Sequence, residues 1–441
     1  MTILFLLVWA ATLFIFIFIT KATKLTIGKI SEIQIFLSLT VLMSFLGYPI
    51  LYFKLDDYRV MTGITDIKII VTAMLAASWS LIGAILAYGI LDSISRKKRF
   101  LNYPVKDEEN ENINALTPIF LFWSLIFSVV LFVTYVYISK IDSLAILESL
   151  SGKSVAQSRS NMTNNFSGSY HWYSLFFYDL SWVCSLALYA LALTYRSVFG
   201  WFLFSIFFLC TSFFLTMTAQ KAPFVFFLAT IFLVHSYLRS GKMLSTAKML
   251  SMSLVSLAAV LIMYILFMGS GSFISALSST ASRALTGQLS GAYNYLWIFP
   301  EKVDYLLGRS FPNPSGIFPF DHYQITTEVM KIVNPHFAER GVVGSQPTMY
   351  WGEAYANFGW VGVLVAPLYV GAYFFFWKWC IGFIVRPHIK AVATVWIGLQ
   401  LGRFAFSGFS WSMFPVTLVA GFLLLITADR LSKANIKYSH F

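Results

Sequence analysis

Four basic residues lie within apolar stretches or in the loops that join them. They are Arg159 in "AQSRSNM", Lys221 in "TAQKAP", Arg283 in "STASRALTGQLSG" and Arg403 in "WIGLQLGRFAFSGFSW". A guanidinium presents a planar fork that grips a phosphate through two bonds, and an ammonium acts as a point charge. Three other side chains are of the type that orients or accepts a proton. His322 follows Asp321, His336 follows Pro335, and Glu353 sits in "GSQPTMYWGEAYANFG". Together the cations suggest an anionic ligand. Any one of them taken singly is more often a solvated charge, so the group carries the signal. No HExxH pair or Cys/His cluster occurs, and no protein-bound metal is expected. No glycine-rich phosphate loop, dinucleotide fingerprint or DxD pair occurs, so no cofactor of nucleotide type is expected either.

The elements that must position these groups follow from composition. Of 441 residues, 58% are hydrophobic and only 11% are charged, against about 25% charged in soluble domains. Apolar runs of about 20 residues recur, each long enough to cross a bilayer as a helix. The expected fold is an all-α, polytopic membrane protein with about eleven spans. These are 2–20, 33–53, 68–91, 117–138, 171–194, 198–218, 222–238, 249–268, 357–378, 391–409 and 412–428. The first is read as a span, because it lacks a basic leader and a small-residue cleavage site.

Lys and Arg set the orientation. "SRKKRF", Arg196, "RSGK", "RPHIK" and the tail with Arg430, Lys433 and Lys437 alternate with less basic loops. The basic side is the cytoplasmic one, which puts the N-terminus outside and the C-terminus inside. The net charge of +12 then belongs mostly to these loops, and no nucleic-acid partner is implied. Three regions result: 1–268 with eight spans and an outside loop at 139–170, a large outside loop at 269–356, and 357–441 with three spans and the tail. The large loop is rich in Gly, Pro and aromatics, as in "GRSFPNPSGIFPFDHYQ". That is not a disorder composition, and it predicts an ordered cap over an outward cavity. Arg309 and Arg340 fall in it as further outside cations.

Charges inside spans are functional hypotheses by default. Arg403 is 12 residues past Ala391, about 18 Å along a helix. It either pairs with Asp179 to fix helix packing or binds an anion in a cavity open to the outside. Lys221 lies in a turn too short to rise far above the membrane. It either snorkels to the interface or contacts a phosphate there. A helix from about Gln346 to Lys378 would stand above the bilayer in its first turns. Tyr350, Glu353 and Asn357 would then share one face, and Gly352, Ala356 and Gly359 a small-residue face for close packing. Glu353 is either a wet acid favoured by the helix dipole or part of a polar stripe lining the cavity that Arg403 faces.

The stretches "GQLSGAYNYLWIFP", "LLGRSFPNPSGIFPF" and "GSQPTMYWGEAYANFGWVGVLVAPLYVG" resemble the Wzy-type O-antigen polymerases, the oligosaccharide repeat-unit polymerases related to O-antigen ligases. By motif the resemblance covers about residues 200–380, and elsewhere only topology. It departs at "IFPFDHYQ", where Phe320, Asp321 and His322 stand in place of the basic residue common in relatives. Which loop residue is the base and which the phosphate ligand therefore stays open. The resemblance implies a glycosyltransferase of the bacterial inner membrane, working on the periplasmic side without metal or nucleotide sugar. Its donor would be a glycan on undecaprenyl diphosphate and its acceptor a lipid-linked repeat unit. Membrane lipids and a chain-length regulator protein would be its further partners. On this reading Arg159, Lys221, Arg283, Arg403, Tyr350 and Asn357 would bind the diphosphate or glycan. His322 and Glu353, with His336 in reserve, would serve as base or orient the acceptor. The rival readings are an O-antigen ligase with the same donor and, in another class, a flippase for lipid-linked sugars.

Overall fold

The computed structural model describes residues 2–97, 117–240, 244–245, 273–339 and 344–438, together with Ser251 and Ala258, apart from residues 24, 26, 27, 152–154, 164 and 221. Among these residues the regular structure is helical. The helices are α1 (Thr2–Ala22), α2 (Glu32–Ser44), α3 (Tyr48–Tyr52), α4 (Asp57–Met61), α5 (Ile67–Lys97), α6 (Thr117–Ile138), α7 (Ala145–Leu150), α8 (Val155–Met162), α9 (Tyr170–Ser174), α10 (Ser181–Tyr195), α11 (Val198–Thr216) and α12 (Ala222–Arg239). They are followed by α13 (Phe273–Leu285), α14 (Gly287–Ile298), α15 (Ile325–Val333), α16 (Pro335–Glu339), α17 (Tyr350–Gly382), α18 (Pro387–Gly402) and α19 (Val416–Tyr438). Eight helical stretches of the described residues are long and apolar enough to cross a membrane. Backbone groups in hydrocarbon must bond within their own segment, which is why such runs become helices.

The expected spans differ from the structure in several places, among them 33–53, which is interrupted between Ser44 and Tyr48. Of 249–268, all but Ser251 and Ala258 lies outside the described residues. The 391–409 helix starts earlier, at Pro387, and stops at Gly402, where a 3₁₀ turn (Arg403–Ala405) begins an irregular stretch. The last helix starts at Val416, after Pro415. The "SGFSWSMFP" run between them is rich in Gly, Ser and Pro, and such residues favour turns over helix. The large loop is ordered where described, with α13 to α16 inside it.

The chain divides into two compact units, built from segments distant in sequence. Unit 1 comprises residues 1–101, 277–378 and 398–415. In it α5 and α17 run side by side in the same direction. The Trp79 indole donates to the Leu364 carbonyl at 3.1 Å, and Lys378 pairs with Asp92 near the other end. Small residues allow this approach: a Cβ on Gly371 would come within 2.5 Å of the Ala84 carbonyl. Phe36, Phe374, Phe404 and Tyr350 form an aromatic core, with ring centroids 4.8–6.3 Å apart. By contrast only 11% of the apolar window of α1 is buried, so this helix offers most of its surface to lipid.

Unit 2 comprises 102–276, 379–397 and 416–441. Its centre is the Tyr170–Tyr195 stretch, 83% buried in its apolar window. Hydroxyls tie it to its neighbours: Ser185 lies 2.8 Å from the Thr211 hydroxyl, and the Trp182 indole donates to Thr230 at 2.8 Å. A π-turn at Leu175–Leu180 precedes α10 and carries Asp179, which accepts from Thr417 Oγ1 at 3.1 Å.

Candidate functional site

The start of α17 is not the straight rising helix that its sequence suggests. The chain breaks at Gly359, with φ 60° and ψ −144°, a conformation that only glycine holds without strain. In a straight helix Ala354 and Gly362 would be about 12 Å apart. Here a Cβ on Gly362 would collide with the Ala354 carbonyl. The Tyr350–Phe358 segment therefore folds back against the helix that follows. It is buried along most of its length, from Tyr350 to Asn357.

Tyr350, Glu353 and Asn357 do share one face, and that face is turned inward rather than lining open space. Glu353 is 2% exposed and Asn357 fully buried. The Glu353 carboxylate accepts from Ser310 Oγ at 2.7 Å and from the Ser410 backbone N–H at 3.0 Å. Asn357 accepts from the Gly308 N–H at 2.9 Å, and its amide donates to Ser310 Oγ at 2.8 Å and to the Glu353 carbonyl at 2.9 Å. Ser310 has one proton to give. It spends that on Glu353 and receives from Asn357, which fixes the orientation of the amide. The N–H groups of Leu306 and Leu307 donate to the carbonyls of Ala356 and Asn357. The Tyr350 hydroxyl donates to the Ser80 carbonyl at 2.7 Å. These bonds latch residues 306–310 and 408–410 onto the folded-back helix. The burial of Glu353 excludes the wet-acid alternative, and its carboxylate is bonded to Ser310 and Ser410.

The latch holds a closed loop in place. The Tyr323 N–H returns to the Arg309 carbonyl at 2.8 Å. Within this loop Asn313 accepts from the Phe318 N–H and donates to the carbonyls of Phe318 and Phe320. The Phe318 and Phe320 rings stack at 5.4 Å and 1°, and Phe311 packs on Phe358 and Phe409. Arg309 and His322 are exposed. His322 Nδ1 lies 2.9 Å from the Phe311 carbonyl. A carbonyl only accepts, so Nδ1 donates here, and in a neutral ring Nε2 would be the acceptor nitrogen.

The cations distribute as follows. Arg403 is exposed and stands at the end of α18, not within a continuing helix. It donates to Gln400 Oε1 at 3.3 Å and lies 6.0 Å from the Trp411 ring. Asp179, the partner considered for it, belongs to unit 2. Arg283 is exposed on α13 between Ser282 and Thr286. Arg159 is exposed on α8 of unit 2. Lys221 and Arg340 lie outside the described residues. His336 is exposed on α16, 3.8 Å from Glu339.

Arg59 joins Arg283, and the sequence did not single it out, because "LDDYRVMTG" sets it beside two acids. Its Nε donates to Thr286 Oγ1 at 3.3 Å, and Thr286 in turn donates to Asp56 at 2.6 Å. Burial lowers the Arg59 guanidinium from its ordinary value, Asp56 and Tyr58 oppose this, and the charge of Arg283 lowers it further. Burial also pushes the Asp56 carboxyl up. The hydroxyls of Thr286 and Ser282 and the N–H of Arg59 outweigh that and hold it below the usual aspartate value. Arg59 is thus anchored through Thr286 beside Asp56 and feels the charge of Arg283. The signal available in sequence was positional: Arg59 falls in the loop 54–66, on the same predicted side as Arg283.

Among the described residues no group of three or more His, Cys, Asp or Glu is placed to hold a metal ion. No family model, curated protein or solved structure matches the chain.

Proposed function

We propose that the protein polymerises lipid-linked oligosaccharides at the periplasmic face of a bacterial inner membrane. One observation carries this reading. The three stretches that resemble repeat-unit polymerases fold against one another in unit 1. Tyr295 donates to the Gln346 carbonyl at 3.3 Å, and a Cβ on Gly291 would collide with the Pro347 carbonyl. Ser310 and Gly308 bond to Glu353 and Asn357. Basic side chains and His322 are exposed on this assembly. The basic residues Lys378 and Arg96, both paired with Asp92 at one end of α5 and α17, support placing that end in the cytoplasm, and the loop assembly outside.

In the reaction, an acceptor hydroxyl attacks the anomeric carbon of the donor glycan. The bond from that carbon to the diphosphate oxygen breaks, and undecaprenyl diphosphate leaves with the electron pair. Arg283, Arg59, Arg403 and Arg309 stabilise the developing charge on the leaving group. Nε2 of His322 takes the hydroxyl proton. Glu353 and Asn357 act as positioning residues, because they hold the loop that carries Arg309 and His322, and Tyr350 ties the folded-back helix to α5. Phe318 and Phe320 offer apolar rings to a sugar face.

The purified protein in proteoliposomes, given a synthetic undecaprenyl-diphosphate oligosaccharide, should yield a ladder of longer glycans, and do so in the presence of a chelator. Transfer only onto a lipid A core would assign a ligase. Movement of the substrate across the bilayer with no new glycosidic bond would assign a flippase.

A further inference from the structure

At the end of unit 1 marked by Lys378, a groove of about 410 Å³ opens between α1 and α5. Ala22 and Thr23 form one wall, and Leu86, Ile90, Ser93 and Arg96 run along the other. These four α5 residues are spaced four, three and three apart and so lie on one face of the helix. The face is apolar at Leu86 and Ile90 and polar at Ser93 and Arg96, and all four are exposed. Asp92 also lines the groove, with 4% of its side chain exposed. Lys378 Nζ and the Nε and Nη2 of Arg96 all donate to it. Lys378 answers Asp92 from within the unit, so the outer edge of Arg96, which is 50% exposed, presents positive charge to the groove. Among the described residues Arg96 Nη1 has no hydrogen-bond acceptor. Lys21, exposed beside Ala22, adds a second cation at the rim. Glu32, the other buried acid of this end, accepts from Tyr88 at 3.0 Å and is not part of the groove wall.

We infer that this groove binds an anionic phospholipid, with the headgroup phosphate on Arg96 and Ser93 and an acyl chain along Leu86 and Ile90. The apolar half decides for a lipid over a free phosphate. So does α1, whose apolar surface is left to hydrocarbon. The site is separate from the loop assembly and from the glycan chemistry.

The test uses the full-length protein in micelles holding phosphatidylglycerol and phosphatidylcholine in equal amount, with retained lipid read by native mass spectrometry. Phosphatidylglycerol should be retained about fivefold over phosphatidylcholine, the effect of one basic residue near a membrane surface. Arg96→Gln should bring the ratio close to one, and Arg96→Lys should restore it. Ser93→Asp, at an exposed position, should abolish the preference in the same way and serves if Arg96→Gln does not fold. Ile90→Trp should lower retention of both lipids. Glycerol phosphate alone should not displace the lipid. Equal retention of the two lipids by the unsubstituted protein would overturn the site. So would an unchanged preference in Arg96→Gln or Ser93→Asp, or displacement by glycerol phosphate.

Discussion

Ser310 Oγ donates to the Glu353 carboxylate at 2.7 Å across 43 residues of chain, and both groups are buried. The bond joins the middle of the large loop to the folded-back start of α17. Asn357 completes it from the next helical turn. The loop is therefore ordered from its centre as well as from its ends.

Removal of the shared hydroxyl should loosen this loop. Ser310→Ala leaves the Glu353 carboxylate and the Asn357 amide each short of a partner, at about 1–3 kcal/mol per buried group. The expected outcome is a lower melting temperature in detergent and faster proteolysis between 306 and 323. Glu353→Gln keeps an acceptor for Ser310 and should be milder than Glu353→Ala. Equal proteolysis rates for Ser310→Ala and the unsubstituted protein would contradict the latch.

Gly359→Ala should be costly. Its backbone has φ 60° and ψ −144°, and an added methyl would stand 3.1 Å from the Tyr305 ring. Strain of this kind costs about 1–3 kcal/mol. Gly63 also has positive φ, 85°, yet nothing lies within 4 Å of an added Cβ. Gly63→Ala should thus be the gentler change. Thermal denaturation of the two variants side by side checks the contrast.

Asp56 gives a pH dependence with a definite sign. Its folded carboxyl lies below its ordinary value, so the unfolded chain binds the extra proton and stability rises with pH through that window. The stabilisation is present at neutral pH. It declines as pH falls past the unfolded value of about 3.9 and is gone below the lowered folded value. Melting temperatures of the unsubstituted protein and Asp56→Asn should be separated at pH 7 and converge in strong acid. A constant separation would remove Asp56 as the cause.

On the proposed reaction, Arg283→Gln and Arg59→Gln should each slow glycan transfer by about a hundredfold or more, the usual loss when one stabilising group is removed from a developing charge. The double variant should lose less than the product of the two, since the residues share one anion. His322→Gln should reduce kcat more than KM. Transfer rates on a synthetic donor, for protein that inserts normally, measure all three. An Arg59→Gln variant of full activity would detach Arg59 from the site.

Local physical rules acting on the chain already determined a good deal. Apolar runs of bilayer length must become helices, because hydrocarbon offers no other partner to the backbone, and eight helical stretches of that kind are present. The aromatic content of "GRSFPNPSGIFPFDHYQ" marked an ordered loop. Helical spacing put Tyr350, Glu353 and Asn357 on one face. Only the tertiary structure decided which way that face points. The direction depends on Gly359 adopting positive φ and on Ser310 and Ser410 arriving from distant segments, and no spacing within the helix encodes either. The same holds for Arg403, where the helix ends because "SGFSWSMFP" packs against Glu353 and Tyr350. It holds for Arg59 too, which bonds to Thr286, 227 residues further along the chain. Residue type and period are local quantities that the sequence carries. Long-range partners are chosen by the packing of the whole unit.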